Sequence, residues 1–486
     1  MVSSGSTISA WLPNDNKSLN RMPSMMSAIS ISSGRNRQRP AQVEKILLYG
    51  IFSLLLFGPL AFGAVEPWSI FLLEAGSATL LVVWMGKQVL DGHLQVRWNP
   101  LFLPMGAFAV LILAQIVFHA TAYLHDTVAL ALQYFAYAIL CFLATQTLLR
   151  GAQARSLALI FSVYGAVLAG FALIQGISSN GKLYWIRQPR NGGWIYGPYV
   201  NHNHYAGLME MLTPIPLVIS LSRQAAPKVR TVAAAVAAVM IGTIFLSGSR
   251  GGMLAIVAEL VMLAALLVKQ KGGGLRTAIG AGLFLAIVAG LLAWVGGAEL
   301  TQRIATVGPG HAELSADIRT YINRDGLRMF LRKPIFGWGL GSFPIVYPQF
   351  RTFYTNFFVN EAHNDYLQLL VETGLLGFAI MIWLVVTIYR RGFKKISNWS
   401  GDIGGAVTLS CLLGLSGILV HSAVDFNLQI PANAALFYVL CTVAASEPFA
   451  KPARKRRTIR KPAEAKREEE DLMHSRESQQ QPATNF

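Results

Sequence analysis

A polar loop changes into a long apolar segment at residues 363–388, which read HNDYLQLLVETGLLGFAIMIWLVVTI. The apolar part, 366–388, is long enough for an α-helix to cross the hydrocarbon core of a bilayer, which takes about 20 residues. Similar apolar blocks recur along the chain, in which 53% of the residues are hydrophobic and 13% are charged. The sequence therefore predicts an all-α integral membrane protein.

Twelve membrane-spanning helices are predicted from these apolar blocks. They cover 46–64, 68–86, 101–118, 127–147, 156–174, 205–222, 231–247, 252–268, 277–296, 366–388, 403–420 and 432–446. Together they form a polytopic membrane domain, 46–446. The flanking segments 1–45 and 447–486 are polar and charged, which is typical of disordered tails.

Lysine and arginine residues indicate which ends of the spans face the cytoplasm. They cluster before the first span and in alternate short loops, which is the pattern that sets membrane orientation. Both tails are therefore predicted to be cytoplasmic. Because topology explains most of the net charge of +17, we predict contact with membrane lipids and none with nucleic acid. The three cysteines all fall within spans, so neither a disulfide framework nor a cysteine-based metal site is expected.

Two loops on the predicted outer side are long, 175–204 and 297–365. Basic residues on this side run against the usual trend, and an anionic ligand would explain them. Segment 317–333 mixes apolar and basic residues and stops at Pro334, which predicts a short helix at the membrane surface. The outer cations are Lys182, Arg187, Arg190, Arg250, Arg303, Arg319, Arg324, Arg328, Arg332, Lys333 and Arg351.

Three motifs, in this order, resemble the O-antigen ligase and polymerase superfamily of bacterial polysaccharide enzymes. The first is LSGSRGG at 246–252, and the second is Arg319 followed by PIFGWGLGSF at 334–343. The third is the run from His363, in which Asn364, Gly374 and Gly377 occupy the remaining positions of the ligase signature. The resemblance covers about 195–445, with 297–365 as the expected catalytic loop.

The resemblance implies a glycosyltransferase that takes a glycan from polyprenyl diphosphate outside the cytoplasmic membrane, with neither metal nor cofactor. Arg250 and Arg319 would then bind the donor diphosphate, and His363 would act on the acceptor hydroxyl. Guanidinium groups suit a leaving diphosphate because they bind oxyanions bidentately. A neutral histidine suits the role of base, since its unperturbed pKa is about 6.5.

Further candidates for binding the substrate lie beside these motifs. They are Asn364, Arg187 and Arg190, the polar residues Tyr199, Asn201 and Asn203 before the sixth span, and Asp425, which would orient an arginine or His363. Helix capping is an equal explanation for the segment 196–205, and its two histidines lack the partners of a metal site. Glu210 lies within a span without a basic partner in the spans, so structural hydrogen bonding is expected there.

The acceptor stays open at this level. Lipid A core would make the chain an O-antigen ligase, which the spacing after His363 favours. A second lipid-linked chain would make it a polymerase, and a protein hydroxyl an O-oligosaccharyltransferase. A flippase for lipid-linked glycans is the alternative from another class, but it would place cations through the depth of the bilayer rather than at outer span ends. An assembly scaffold is the non-enzymatic alternative.

Overall fold

The computed structural model describes residues 33–148, 150–189, 195–270, 316–355, 357–447 and 449. These residues form helices and loops without a β-strand. Eight of the helices are long and apolar enough to cross a membrane. An all-α membrane protein is confirmed at this level, whereas the number twelve stays a prediction. The predicted span 277–296 lies outside the described residues.

The helices before the first motif are α1 to α8. Their bounds are Ser33–Leu60, Pro67–Asp91, Phe102–Val117, Leu124–Thr147, Gly151–Ile177, His202–Leu212, Pro214–Leu221 and Pro227–Leu246. Residues 33–45 of the segment predicted as a disordered tail are helical, because straight-chain helix formers such as Gln42, Glu44 and Lys45 continue the membrane helix outward.

The remaining helices are α9 to α13. Their bounds are Arg250–Gln270, Ala316–Arg332, Asp365–Lys395, Ile403–His421 and Pro431–Ala445. A short helical turn, Phe343–Val346, and two 3₁₀ turns, Tyr347–Gln349 and Asn427–Gln429, lie between them. The short helix predicted for 317–333 is thus observed as α10, and its place at the membrane surface stays a prediction.

The predicted sixth span is two helices, α6 and α7, that meet at Thr213. Pro214 and Pro216 have no amide hydrogen, so they break the ladder of helical hydrogen bonds at this point. The Thr213 amide and the Thr213 hydroxyl both donate to the Met209 carbonyl, at 2.8 and 2.6 Å, just before the break. The break is tolerated because nearly every residue around it is buried in protein and not in lipid.

The centre of the bundle is α12, which packs against α6, α7, α9, α11 and α13. Every residue of α13 is buried, so this helix need not match the thickness of the bilayer. Its 15 residues reach only about 22 Å at 1.5 Å per residue. The turn from α12 to α13, residues 422–430, therefore lies at one end of the bundle, on its central axis and not at its edge.

The described part of the loop before α11, from residue 316 onward, has a small hydrophobic core of its own. Helix α10 contributes Ile322 and Met329, the turn at 343–347 contributes Phe343 and Tyr347, and α11 contributes Val371. The positions 322 and 329 are two helical turns apart and so share one face of α10. This core fixes α10, and with it Arg319, against the start of α11.

A break inside α11 receives the segment that follows α10. Gly374 has φ of +64°, and the amides of Leu375 and Leu376 donate to the carbonyls of Pro334 (2.8 Å) and Ile335 (3.3 Å). A Cβ at position 374 would lie 2.1 Å from the Ile335 oxygen. The glycine of the third motif is thus needed for both conformation and space.

The same break is closed from the other side. The amides of Trp338 and Gly339 donate to the carbonyls of Val371 (2.9 Å) and Glu372 (3.0 Å). Buried Gln115 on α3 also donates to Glu372, at 2.9 Å. The second and third motifs therefore form one hydrogen-bonded unit that orients the first turns of α11.

Candidate active site

His363 lies at the start of α11 in a strained backbone conformation. Its φ is +52°, which is uncommon for a residue with a side chain and costs of order 1–3 kcal/mol. Asn364 holds this turn as the N-cap of α11, because its side-chain oxygen accepts from the amides of Tyr366 and Leu367, both at 3.1 Å. Asn364, predicted to bind substrate, therefore positions the histidine.

Asp425 faces His363 from the turn between α12 and α13. Its Oδ1 lies 3.5 Å from His363 Nδ1, and the carboxylate is almost completely buried, with 1% of its side-chain surface exposed. A carboxylate in this place favours the tautomer that carries the proton on Nδ1. The Nε2 atom is then the one that can accept a proton from a substrate.

Arg319 approaches the same turn from α10. Its Nη1 donates to the carbonyl of Val424 at 3.1 Å, and its Nη2 lies 3.8 Å from Asp425 Oδ2. Its Nε is buried without a hydrogen-bond partner among the described residues. The structure thus brings together His363, Arg319 and Asp425, which lie in three separate parts of the sequence.

The charge of Asp425 follows from these neighbours. Burial by itself would raise the pKa of this carboxyl, but the contact with His363 and the polar groups near it lower the pKa well below the usual range. Besides His363, the groups that act in this direction are His204 and Arg319. We therefore expect Asp425 to be ionised in the physiological pH range.

Arg250 is the first residue of α9 and is exposed. Its neighbour Gly251 packs on the turn after α12, where a Cβ would lie 2.3 Å from the His421 ring and 3.1 Å from Val424 Cγ2. Arg250 is therefore adjacent in the sequence to a residue that packs against the end of α12 and Val424. A cation at this position adds to the positive end of the helix dipole, so the two together favour an anion.

Two histidine rings meet across Phe426. The rings of His363 and His204 each lie edge to face with the Phe426 ring, with centroids 4.7 Å apart in both cases. His204 is at the start of α6, and no catalytic role was predicted for it. Phe426 directly follows Asp425, so the turn supplies both the polar and the apolar support of His363.

A buried histidine–glutamate pair close to the site was not predicted from the sequence. His421 Nδ1 lies 3.0 Å from Glu210 Oε2, and both side chains are essentially inaccessible. Structural hydrogen bonding was expected for Glu210, and the last residue of α12, which lies outside the predicted span, provides the partner. The partner was overlooked because His421 lies just beyond the predicted end of the span, where its direction cannot be derived from spacing.

Arg187 already has an anionic partner in the chain. Its guanidinium forms an ion pair with Glu66 and lies 4.3 Å from the centre of the Phe62 ring. The other arginine of this loop, Arg190, lies outside the described residues. Neither contact links Arg187 to His363, so its predicted contribution to anion binding has no support in the geometry.

The polar residues before the sixth span serve the fold. Tyr199 is buried and donates to Asn433 Oδ1 at 2.8 Å, which leaves little of its surface for a sugar. Asn201 caps α6 by accepting from the amide of Asn203 at 2.8 Å, and Asn203 is itself buried. Helix capping, the equal alternative for this segment, accounts for Asn201.

Comparison with known families agrees with the motifs. Residues 235–382 match the protein-family model described as O-antigen ligase, and all three motifs fall within this range. The match spans less than a third of the chain and confirms the resemblance to the O-antigen ligase superfamily. The family implies a glycosyltransferase-like membrane enzyme with lipid-linked glycan and acceptor partners. A search of curated proteins finds no match for this chain.

Proposed function

We propose that the protein transfers a glycan from polyprenyl diphosphate to an acceptor hydroxyl on the outer face of the bacterial cytoplasmic membrane. The observation that carries this proposal is the meeting of His363, Arg319 and Asp425 at the turn between α12 and α13. The transfer of a glycan from a diphosphate ester to a hydroxyl needs a base for the hydroxyl proton and a cation for the departing diphosphate, and both lie here beside one buried carboxylate.

The reaction divides between these groups. His363 Nε2 takes the proton of the acceptor hydroxyl, whose oxygen forms a bond to the anomeric carbon of the donor sugar. The bond from that carbon to the diphosphate breaks, and its electron pair stays on the departing oxygen. Arg319 and Arg250 stabilise the charge that develops there. Asp425 stabilises the protonated imidazole until the proton leaves.

The proposed acceptor is lipid A core, in accord with the spacing after His363. A polymerase or a protein O-oligosaccharyltransferase would use the same chemistry on a different hydroxyl. A flippase is disfavoured by where the cations lie. Arg250 is the first residue of the candidate span α9, and Arg319 lies on α10, which is not among the helices long and apolar enough to cross a membrane. The proposal includes metal independence, because arginine side chains take the place of a metal ion at the diphosphate.

The test measures the lipid-linked glycans, separated by chain length, in cells in which the wild-type protein is replaced by one variant at a time. His363→Ala and Arg319→Ala should leave long diphosphate-linked chains untransferred. His125→Ala is the matched control for the histidine, because His125 is exposed near the start of α4, and Arg155→Ala is the control for the arginine, because Arg155 is exposed near the start of α5. Both controls should retain transfer.

Other results would overturn the proposal. Single repeats without long chains would mean a polymerase, and repeats trapped on the cytoplasmic leaflet would mean a flippase. Transfer by His363→Ala at the wild-type rate, with the protein present in the membrane, would remove the base from the mechanism.

A further inference from the structure

Two buried polar side chains, Glu210 on α6 and His421 at the end of α12, take no part in the mechanism described above. His421 Nδ1 lies 3.0 Å from Oε2 and 3.2 Å from Oε1 of Glu210. The exposed fraction of the side chain is 1% for His421 and 0% for Glu210. Replacing a buried pair of this kind by apolar residues is often neutral or stabilising. A contribution to stability is therefore a weak explanation for the pair.

The backbone of His421 holds the residue that faces the candidate base. Its carbonyl accepts from the amide of Val424 at 2.9 Å and from the amide of Asp425 at 3.1 Å. The Asp425 carboxylate in turn lies 3.5 Å from His363 Nδ1, and the carbonyl of Val424 accepts from Arg319. The position of His421 therefore sets the position of the Asp425 backbone, and with it the contact between Asp425 and His363.

The next residue ties the same turn to the start of α11. Ser422 Oγ donates to the Asp365 carboxylate at 2.8 Å, and the Asp365 amide donates to the Ser422 carbonyl at 2.9 Å. Asp365 follows His363 by two residues. A shift at the end of α12 would therefore disturb both sides of the contact between Asp425 and His363.

Helix α6 fixes the end of α12 against such a shift. Glu210 contacts the last residue of α12, and three residues earlier Gly207 packs on Asn427 in the turn that follows. A Cβ at position 207 would lie 2.2 Å from Asn427 Oδ1, so the glycine allows α6 to approach the turn closely. Every residue of α6 is buried. Helix α6 therefore contacts this part of the chain on both sides of Asp425, with Glu210 at the α12 end.

We propose that Glu210 is a positioning residue for glycan transfer, because it holds His421, and His421 holds the backbone of Asp425. The proposal rests on the proposed function and adds a residue that touches neither donor nor acceptor, since the Glu210 side chain is completely buried. Loss of the carboxylate would free the end of α12 and move Asp425 relative to His363. A displacement of about 1 Å in a catalytic group can cost about 100-fold in rate.

The experiment measures transfer from a lipid-linked donor by membranes that contain equal amounts of each variant. Glu210→Ala should lower kcat by about 10- to 100-fold and keep the KM for the donor within about twofold of wild type, because no contact with the donor is lost. Glu210→Asp keeps the charge but shortens the side chain by one methylene, so it should also lower kcat, by about tenfold.

Changes at His421 test the other half of the pair. His421→Ala should act like Glu210→Ala. His421→Asn keeps an N–H donor near the place of Nδ1 and should hold kcat within about threefold of wild type. Glu259→Asp is the matched control, because Glu259 is a buried glutamate on α9 that packs on Gly417 of α12, away from the turn. It should keep the wild-type kcat.

A double-mutant cycle gives the readout that a purely structural role would not move. If Glu210 acts through Asp425, adding Glu210→Ala to Asp425→Asn should lower kcat by less than about threefold further, because residues that act as a unit are not additive. If Glu210→Ala does not reach the membrane, the cycle with Glu210→Asp decides the question in the same way.

The outcomes separate the two proposals. Absence of transfer by the wild-type protein would overturn the proposed function itself. Given wild-type transfer, Glu210 as a positioning residue would be overturned by wild-type kcat in the Glu210 variants, by a rise in the donor KM alone, or by losses that multiply in the double variant. An equal loss in Glu259→Asp would assign the effect to packing around α12 in general and overturn the proposal as well.

Discussion

Asp425→Asn tests the centre of the candidate site because the change keeps the volume of the side chain and removes its charge. At 3.5 Å and an effective dielectric constant of about 20, opposite unit charges attract by about 5 kcal/mol. The amide dipole of asparagine recovers part of this. We therefore expect the protonated His363 to lose about 2–3 kcal/mol of stabilisation, which lowers kcat by about 30- to 150-fold at 1.36 kcal/mol per factor of ten.

The assay is transfer from a lipid-linked donor by membranes that contain equal amounts of each variant. The loss should appear in kcat more than in the KM for the donor, because the charge on His363 develops during the reaction. Asp402→Asn is the control: Asp402 caps the opposite end of α12 by accepting from the Gly405 amide at 2.9 Å, and asparagine caps equally well. A kcat within threefold of wild type for Asp425→Asn, or an equal loss for Asp402→Asn, would refute the reasoning.

Two other changes test the surroundings of the site. Gly251→Ala places a Cβ 2.3 Å from the His421 ring and should lower transfer and thermal stability together, whereas Gly242→Ala on α8, where a Cβ meets nothing within 4 Å, should lower neither; equal behaviour of the two variants would contradict the packing of α9 on the turn. Burial raises the pKa of Glu361 to about 8, with Glu372 and Asp365 adding to the rise and a hydrogen bond from Gln368 opposing it. The folded state then binds a proton that the unfolded state releases. The contribution of Glu361 to stability is therefore complete below the unfolded pKa of about 4.3 and is lost as the pH rises toward 8. The unfolding temperature of detergent-solubilised protein should decline over this range, and Glu361→Gln should flatten the decline; an equally steep decline in Glu361→Gln would assign the effect to another group.

The membrane class was predictable from the sequence because it depends only on the length and composition of apolar blocks. The broken sixth span was not predicted, since hydropathy averages over Pro214 and Pro216 and does not register the lost amides. Helix α13 was predicted as a span, yet at 15 residues it is short and enclosed by protein. Apolar composition is the same for a helix that faces lipid and for one that faces other helices.

The candidate site was predictable where motifs carry it and not where packing does. His363, Arg319 and Asp425 were named from the sequence, and the structure brings them together. The second role of Asn364 as a helix cap, and the pairing of Glu210 with His421, depend on side-chain directions across helices that are far apart in the chain. Arg187 was named for its charge alone, and Glu66 as its partner could not be derived from local spacing.

The break at Gly374 has a consequence for how the chain enters the membrane. The amides of Leu375 and Leu376 donate to carbonyls outside α11, and amides left unpaired in hydrocarbon are costly. Their acceptors, the carbonyls of Pro334 and Ile335, precede α11 in the sequence and so leave the ribosome before it. The hydrogen bonding of α11 is therefore complete only when the segment that precedes it is packed against the break.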